Sequence, residues 1–531
     1  MSTDEDNNGI TRRAALGNLG TGATLPFGNN AMGAAGEPAK SATSVGTEAG
    51  RFDQLASLPF PEGQPTKQTV QTLKDELLFQ RATQTYLWAM PAIMTLGMQA
   101  ASETAFGGGY NVLPIWKDLT DARTLVFTPN TVTMYAVGYL NLGKDGPLVM
   151  ELPPKLQGFL SDYWGVPIPV EGTDFAGDVG FPGPDRGKGG KFLLLPPDHK
   201  DPVPEGYYVF RSATRNVLVT LRAFVANPDD LKLAVEDLEM TKVYPLRVKA
   251  EVKPMKFPDA SAIRLNMLPS TDSTAFDQLK QLLDIEGSHL AGPDWLGMLA
   301  SVGIVEGQPF KPGALTRSIL DKAAMTGFKI ARVLSFESVV NDVSHLMYSD
   351  RHWINPFAEG TPAQPSGPLN LSWINRLVGY RDLDARTGFF SWAWGVSPGM
   401  FTYTPGEGAI YAATVSDREG EPLLGGNNYR LHLPANVPAR LFWNITLYDA
   451  FTAALYDNGQ PAPALGSPQK PEQNPDGSTD LYFGPKAPKG KAGNWLPTVP
   501  GKAYLVILRL YFPTEAAIDK SWKPGDFELV Q

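Results

Sequence analysis

Leu218-Val-Thr-Leu-Arg-Ala-Phe224 recurs as Leu505-Val-Ile-Leu-Arg-Leu-Tyr-Phe512, and this recurrence predicts the fold. Each segment follows an apolar segment that ends in proline. Pro196 stands 26 residues before Arg222, and Pro485 stands 24 residues before Arg509. Segments that recur in one order at similar spacing are typical of an internal duplication. The sequence therefore predicts a mainly β chain, in which two duplicated antiparallel β-sandwich units of jelly-roll type are joined by a helical region.

The composition excludes several classes of protein. Hydrophobic residues make up 43% of the 531 residues, enough for a large core, and the 53 Gly and 47 Pro favour short strands joined by turns. The net charge of -9 argues against a nucleic-acid partner. Without cysteine, the chain has no disulfides, thiolate metal sites or cysteine nucleophiles. No apolar run reaches the roughly 18 residues of a transmembrane helix.

The first 50 residues differ from the rest. Arg12 and Arg13 precede a weakly apolar stretch and the small residues of Met32-Gly-Ala-Ala-Gly36. This pattern resembles a twin-arginine export signal, and the alternative is a disordered tail rich in Gly, Ser and Ala. We predict a periplasmic or secreted protein that is cleaved after about Ala35.

Hydrophobic periodicity divides the remainder into three regions. Residues 66–227 hold a long helix, broken at Pro91, and the first β-sandwich. Residues 228–380 form a helical insert and a loop, and residues 381–531 form the second β-sandwich. Start signals and apolar spacing predict four helices in the insert, over Asp229–Met240, Ser273–Ile285, Pro293–Val302 and Leu315–Asn341.

The first candidate site is the segment Arg381-Asp-Leu-Asp-Ala-Arg386 with the tryptophans that follow it. Paired carboxylates at Asp382 and Asp384 could carry out acid–base catalysis, and the arginines at both ends could bind a polar ligand. Trp392 and Trp394 are predicted on one face of a strand, as a platform for a sugar or an aromatic ring. The alternative interpretation is a salt-bridged corner beside a core strand.

The second candidate site is the segment Phe442–Asp449. Its polar side chains alternate with apolar ones, which predicts a strand with one polar and aromatic face. The corresponding segment of the first copy, taken as residues 159–166, does not keep the alternation. We assign a catalytic role to Asp449 together with Asp382 and Asp384, and ligand binding to Arg381, Arg386, Trp392, Trp394, Trp443, Asn444 and Tyr448.

Metal and cofactor motifs are weak. His345, Asp350 and His352 are conceivable metal ligands, but the polar end of a helix explains them better. Gly107-Gly-Gly109 lacks the lysine and the helix of a phosphate-binding loop. We predict no bound metal and no cofactor.

At this point several motifs together resemble a known family. The chain is similar to bacterial proteins that pair domain of unknown function 1254 with domain of unknown function 1214. The resemblance covers about residues 66–531 and implies two β-sandwich units and an exported or envelope-associated location. Where the family usually has Thr-Pro-Asn-x-Asp-Thr-Leu-Tyr, this chain has Val132 in place of the Asp, so the resemblance places a site more safely in the C-terminal half. The segments that carry it are Thr128–Tyr135, Leu383–Phe390, Val396–Met400, Tyr429–Pro434, Phe442–Asp449, Asn474–Ser478, Asn494–Pro497 and Ile507–Tyr511.

Three functions are consistent with these observations. The first is an exported cell-envelope protein that binds a glycan, a lipid or another amphipathic ligand through the C-terminal β-sandwich. The second is a cofactor-independent hydrolase or lyase that uses the C-terminal carboxylates, and the third is a purely structural envelope protein. The expected partner is a small-molecule or glycan-like ligand, and the sequence leaves a homo-oligomer open.

Overall fold

A computed structural model describes residues 49–181, 183–225, 230–247, 252–341, 346–356, 383–400 and 404–530. It contains five mostly antiparallel sheets, with 30% helix and 26% strand. The antiparallel sheets agree with the prediction. The helical share is larger than a mainly β chain would have, because long helices both precede the first sheets and fill the insert.

The chain divides after Thr69. The described part of the first unit contains helix α1, Ala49–Ala56, and a 3-10 turn at Pro61–Gly63. Thr66 precedes helix α2, and its hydroxyl oxygen accepts a hydrogen bond from the amide of Thr69 at 3.1 Å. This contact satisfies one of the free amides at a helix start.

The helices follow their sequence signals closely. Pro91 stands in the first turn of α3, where its missing amide costs no hydrogen bond, so the long N-terminal helix breaks at Ala89 as predicted. The four helices predicted in the insert are confirmed within one residue at each end. The helices after α1 are α2 Lys67–Trp88, α3 Met90–Phe106, α4 Leu142–Asp145, α5 Asp230–Glu239, α6 Thr274–Glu286, α7 Pro293–Ser301, α8 Ala314–Asn341, α9 Leu383–Phe390 and α10 Glu515–Ile518.

Ten strands lie before α6. Two short parallel strands, β1 and β10, form a sheet of their own. The other eight form the N-terminal sheet pair, with strand orders β2-β8-β4-β5 and β7-β6-β3-β9. The bounds are β1 Thr124–Leu125, β2 Thr133–Asn141, β3 Leu148–Leu152, β4 Gln157–Asp162, β5 Asp178–Val179, β6 Gly190–Leu195, β7 Tyr208–Arg211, β8 Asn216–Phe224, β9 Lys242–Pro245 and β10 Leu265–Asn266.

Eight strands after α9 form the C-terminal sheet pair, with strand orders β11-β17-β13-β14 and β16-β15-β12-β18. When the eight strands of each pair are numbered from one in chain order, both pairs have the strand orders 1-7-3-4 and 6-5-2-8. The bounds are β11 Ala409–Thr414, β12 Asn428–Leu433, β13 Ala439–Asp449, β14 Ala464–Gly466, β15 Thr479–Gly484, β16 Trp495–Pro497, β17 Tyr504–Pro513 and β18 Phe527–Val530.

Each sheet pair encloses its own apolar core. In the N-terminal pair, Leu160 and Val219 from one sheet share a core with Met150 and Phe192 from the other. In the C-terminal pair, Ile445 and Val506 share a core with Leu431 and Phe483. Because strand side chains alternate between faces, the neighbours of these residues point away from the sandwich cores.

The outward faces of sheets β2-β8-β4-β5 and β11-β17-β13-β14 are also covered. Tyr135 and Leu218 from the first face, and Tyr448 and Ile507 from the second, join one apolar cluster with residues of α2, α3, α6, α8 and α9. The two faces also meet directly, since Val132 packs with Phe442 and Tyr511. Polar side chains on these faces are therefore buried between the sheet pairs and the helices.

Two details differ from the sequence analysis. The first set of strands does not end near Phe224, because β9 pairs with β3 after helix α5 and completes its sheet. Residues 383–390 form helix α9, although residues 381–531 were predicted to form the second β-sandwich. Among the described residues, no helix combines the length and the apolarity that crossing a membrane requires.

Candidate functional site

Two buried arginines hold equivalent positions in the two sheet pairs. Arg222 on β8 lies opposite Tyr135 on β2, and Arg509 on β17 lies opposite Tyr411 on β11. Their exposed fractions are only 7% and 3%. Both side chains line one cavity, so the duplicated strand brings two guanidinium groups to the same place.

Neither positive charge is fully compensated by the protein. None of the ion pairs in the described part of the chain includes Arg222 or Arg509. The Nε atoms of both have no hydrogen-bond partner among the described residues. Burial lowers the pKa of Arg222, but the oxygens of three tyrosines and the carboxylate of Asp178 outweigh this effect and raise it above the ordinary value. Both guanidiniums therefore stay charged.

Arg509 is held by aromatic rings and by two weak hydrogen bonds. Its guanidinium carbon lies 5.4 Å from the ring centre of Tyr411 and 5.6 Å from that of Tyr448. Nη2 donates to the carbonyl of Thr128 at 3.2 Å, and Nη1 donates to the hydroxyl of Thr446 at 3.4 Å. Cation–π contacts orient a guanidinium but do not neutralise it.

The Thr128-Pro-Asn130 segment connects the two sheet pairs beside this cavity. The carbonyl of Pro129 accepts a hydrogen bond from the hydroxyl of Tyr448 at 2.7 Å, and the Asn130 side chain donates to the hydroxyl of Tyr511. Thr128 has a φ of 38°, which is rare for a β-branched residue and is disfavoured further before proline. Such strain costs on the order of 1–3 kcal/mol and is common at binding sites.

The cavity has a volume of about 60 Å³, enough for a few water molecules or a small ion. Its polar lining comes from Arg222, Arg509, Asn130, Tyr135 and Tyr411, and we call it the arginine cavity. Its remaining wall is mostly apolar and aromatic, and includes Phe159, Phe389, Trp392, Trp394, Met400 and Ile507. The arrangement can donate several hydrogen bonds from two fixed cations to one small anionic group, which is the strongest kind of hydrogen bond in proteins.

The two predicted tryptophans do line this cavity, but they do not form a platform on a strand. Trp392 lies in the turn after α9 and Trp394 in the loop beyond it, so the predicted strand is wrong. The Trp392 carbonyl accepts a hydrogen bond from the hydroxyl of Thr128 at 2.8 Å. The Trp394 ring lies 5.9 Å from that of Tyr135 and 6.0 Å from that of Phe159.

The described residues of the predicted acid–base cluster do not line the cavity. Arg381 and Asp382 lie outside the described residues, and Asp384 is exposed in the first turn of α9. The guanidinium of Arg386 lies 5.5 Å from the ring centre of Trp164, away from the cavity lining.

Asp449 stabilises a turn. Its Oδ1 atom accepts hydrogen bonds from the amides of Phe451 and Thr452, at 3.0 Å and 2.8 Å, and from the hydroxyl of Thr452 at 3.1 Å. An aspartate that accepts from the backbone two and three residues ahead is a turn-forming residue. This role accounts for the contacts of Asp449, which does not line the arginine cavity.

The predicted strand Phe442–Asp449 is confirmed as part of β13. Because side chains alternate along a strand, the predicted site residues lie on both faces of its sheet. Trp443 packs in the core of the C-terminal sheet pair. Asn444 and Tyr448 lie on the opposite face, where Asn444 pairs with Arg509 in the strand register. Burial raises the pKa of Tyr448 to about 12, against the opposing effect of Arg509, so its hydroxyl remains a hydrogen-bond donor at neutral pH.

The sequence analysis did not select Arg222 and Arg509, although both stand in the repeated segment on which it opened. An arginine inside an otherwise apolar strand, at the same place in both copies, was the available signal. The counterpart of Asn444 was also misplaced. Gln157, not a residue of 159–166, pairs with Arg222 on β4.

The conceivable metal ligands do not form a site among the described residues, where no three His, Asp or Glu side chains gather in a metal-binding arrangement. His345 lies outside the described residues. Asp350 pairs with Lys523 at 2.9 Å, and the amide of His352 donates to Asp526 at 2.9 Å.

Several solved structures match the chain at low sequence identity. The crystal structure of the VPA0106 protein from Vibrio parahaemolyticus is 18% identical, with 86% of this chain and 100% of that chain covered and a TM-score of 0.48. A putative uncharacterized protein from Burkholderia cenocepacia is 11% identical, with 86% and 95% covered and a TM-score of 0.38. No curated protein matches the chain.

Two family models match one segment in each half of the chain. Residues 110–245 match the model described as protein of unknown function (DUF1254), and residues 408–515 match protein of unknown function (DUF1214). The first match contains β2 to β9, and the second contains β11 to β17. The pairing predicted from the motifs is confirmed: the chain carries a DUF1254 domain followed by a DUF1214 domain.

Proposed function

We propose that the protein binds a small ligand through an anionic group, a carboxylate, sulfate or phosphate, in the arginine cavity. The observation that carries this proposal is the pair of buried guanidiniums, Arg222 and Arg509, which face one cavity without ion pairs among the described residues. A buried charge without a partner is costly, and an anion bound between the two would compensate both.

The apolar part of the wall supports an amphipathic ligand. Phe159, Trp392 and Trp394 would contact a short apolar group attached to the anionic group, since a cavity of about 60 Å³ has no room for a long chain. Pockets that combine a few charged groups with aromatic walls are typical of such ligands. In this proposal the ligand is held by both sheet pairs, not by the C-terminal β-sandwich alone.

We further infer that the two sheet pairs arose by duplication of one β-sandwich of jelly-roll type. Their identical strand orders support this, as do the equivalent pairs Arg222 with Tyr135 and Arg509 with Tyr411. Duplication would explain why one cavity has two arginines. Export to the periplasm or the exterior remains part of the proposal and rests on the paired arginines of the N-terminal segment.

The other two candidate functions, an enzyme and a purely structural protein, require other arrangements of the side chains. A hydrolase or lyase that uses Asp384 or Asp449 would need these carboxylates beside a bound substrate, and neither lines the arginine cavity. A purely structural role would require Arg222 and Arg509 to stabilise the fold by themselves.

Calorimetry and thermal unfolding with four probe anions test the proposal: acetate, octanoate, octyl sulfate and inorganic phosphate, at constant ionic strength. We expect at least one probe to bind and to raise the Tm, with acetate binding more tightly than octanoate or octyl sulfate, whose chains are too long for a cavity of about 60 Å³. Arg222→Met and Arg509→Met should each weaken binding at least tenfold, since a charged hydrogen bond contributes about 1.5–3 kcal/mol. Trp392 and Trp394 should report binding through their fluorescence.

Arg418→Met is the matched control, because it removes the same charge from a side chain that is 65% exposed. It should bind the probe as the wild type does. Without ligand, the two cavity variants should keep the wild-type Tm or exceed it, because an uncompensated buried charge has been replaced by an apolar chain. A lower Tm together with no anion binding to the wild type would instead support the structural role.

A further inference from the structure

A second and larger cavity lies between helices α3 and α6 and the near ends of β2 and β8. Its volume is about 500 Å³, within the range of about 300–1,000 Å³ that is typical of small-molecule sites. None of its lining residues lines the arginine cavity. We call it the amide cavity, because glutamine and asparagine side chains dominate its polar wall.

Two residues of its lining each have a polar atom that is buried without a hydrogen-bond partner in the described part of the chain: the hydroxyl of Tyr139 and the Oε1 atom of Gln278. An unsatisfied buried polar group costs on the order of 1–3 kcal/mol. Such groups are rare in folded proteins, and two of them at one cavity indicate that a partner is missing. One is a donor and the other an acceptor.

Part of the lining of the amide cavity is a connected chain of hydrogen bonds. The hydroxyl of Tyr163 donates to Gln99 Oε1 at 2.8 Å, and Gln99 Nε2 donates to Glu103 at 2.7 Å. A Cβ at Gly108 would lie 3.0 Å from the Glu103 carboxyl carbon, so the glycine leaves room for this carboxylate. The chain fixes which atoms of Gln99 and Glu103 face a ligand.

The charges of the wall favour a neutral ligand. Glu103, Lys144 and Asp145 line the cavity, so positive and negative groups stand on the same wall. An anionic ligand would meet two carboxylates, and a cationic one would compete with Lys144 for Asp145 and with Gln99 for Glu103. Amide and phenol groups both donate and accept hydrogen bonds, as the hydroxyl groups of a sugar do.

We propose that the amide cavity binds a neutral polyhydroxylated ligand, a mono- or disaccharide. The apolar residues Leu96 and Leu282 line the same cavity and provide surface for the carbon face of a sugar ring. The site is independent of the arginine cavity, in both its residues and the charge of its ligand.

Saturation-transfer NMR and calorimetry on the full chain test this proposal. The neutral probes are glucose, galactose, mannose, maltose and cellobiose, and the charged probes are glucosamine and glucuronate. We expect at least one neutral sugar to bind and both charged probes to bind more weakly than the neutral sugars. Gln278→Leu should weaken binding of that sugar at least tenfold, because it removes the unpaired acceptor. Octanoate should not compete.

Gln80→Leu is the matched control, since Gln80 is exposed on α2 and pairs only with Glu76 at 2.8 Å among the described residues. It should bind the sugar as the wild type does. Ala100→Phe is the second variant, because Ala100 is exposed on α3, lines the cavity and can carry a ring without disturbing a core. It should block binding at an unchanged Tm, which keeps the test valid if Gln278→Leu fails to fold. The proposal would be overturned if no neutral sugar bound, if only a charged probe bound, or if Ala100→Phe bound the sugar normally.

Discussion

Arg222 lies between Tyr135 and Gln157 in its sheet, and Arg509 lies between Tyr411 and Asn444 in the equivalent sheet. Each arginine therefore has a tyrosine on one side and an amide on the other. The two share electrostatic neighbours, since Tyr135, Tyr411 and Tyr511 act on both. Four predictions concern the residues around this pair, the packing of the cavity wall and the export of the chain.

Asp178 should make stability fall as the pH rises through the acidic range. Burial raises its pKa from 3.8 to about 6, although the Gly399 amide and Arg222 oppose this. The unfolded chain therefore loses the proton first, and stability present below about pH 4 is lost by about pH 6. The shift of 6 minus 3.8 corresponds to roughly 3 kcal/mol.

Asp178→Asn, which cannot ionise, provides the comparison. Chemical unfolding at about pH 4 and about pH 7 should show the stability of Asp178→Asn relative to wild type rising by roughly 3 kcal/mol over this range. A difference that is the same at both pH values would show that Asp178 has an ordinary pKa in the folded protein.

Tyr448→Phe should destabilise the protein by about 1–3 kcal/mol and weaken anion binding. The substitution removes the hydroxyl that donates to the Pro129 carbonyl at 2.7 Å and leaves that buried oxygen without its donor. The midpoint of urea unfolding and the affinity for acetate measure the two effects. Tyr482→Phe, at a half-buried position on β15, should change stability by less than about 0.5 kcal/mol. Equal effects of the two substitutions would contradict the proposed role of the Thr128–Asn130 segment.

Gly395→Ala should reduce both stability and ligand binding. A Cβ at Gly395 would lie 2.4 Å from the Phe159 ring, in the wall of the arginine cavity. Overpacking of this kind costs about 1–3 kcal/mol. Gly297→Ala is the opposite case, because it lies inside α7 with no atom within 4 Å of the added methyl, and it should stabilise by about 0.5–1 kcal/mol. Thermal unfolding of both variants compares them, and a neutral Gly395→Ala would show that the Phe159 ring can move.

Replacing both Arg12 and Arg13 by Lys should block export if the twin-arginine route is used. Cell fractionation, with detection of the chain in the periplasmic or secreted fraction, measures the effect. Replacing Lys40 by Arg, outside the motif, is the control and should leave export unchanged. Wild-type protein that begins at Met1 in the exported fraction would contradict cleavage near Ala35.

Local signals in the sequence determined helices α2, α3 and α5 to α8. Pro91, Pro293 and the Ser270–Ser273 cluster start helices through backbone effects that reach only a few residues. The two copies of the apolar strand were equally visible, because a repeat is a property of the chain order itself. For the same reason, the motifs were enough to predict the pairing of the two domains.

The candidate site was predictable only in part. Trp392 and Trp394 were selected for their aromatic rings, and they line the cavity even though their turn was taken for a strand. Helix α9 contains Gly388 and a Thr among apolar residues and has little helical periodicity, so its sequence did not separate helix from strand. The carboxylates were selected because a carboxylate can act as an acid or a base, which does not depend on its place in the fold. Asp384 is exposed, and Asp449 accepts hydrogen bonds within a turn.

The sequence by itself determined that Arg222 and Arg509 recur in equivalent strands, since strand segments repeat residue by residue. Only the tertiary structure decided that the two meet. Alternation directs each arginine away from its own sandwich core, but it does not say what covers that outer face. In this protein, the outer face of each sheet is covered by the other sheet pair and by helices that are distant in the sequence. The cavity, the burial of both arginines and the tyrosines they share therefore follow from long-range packing.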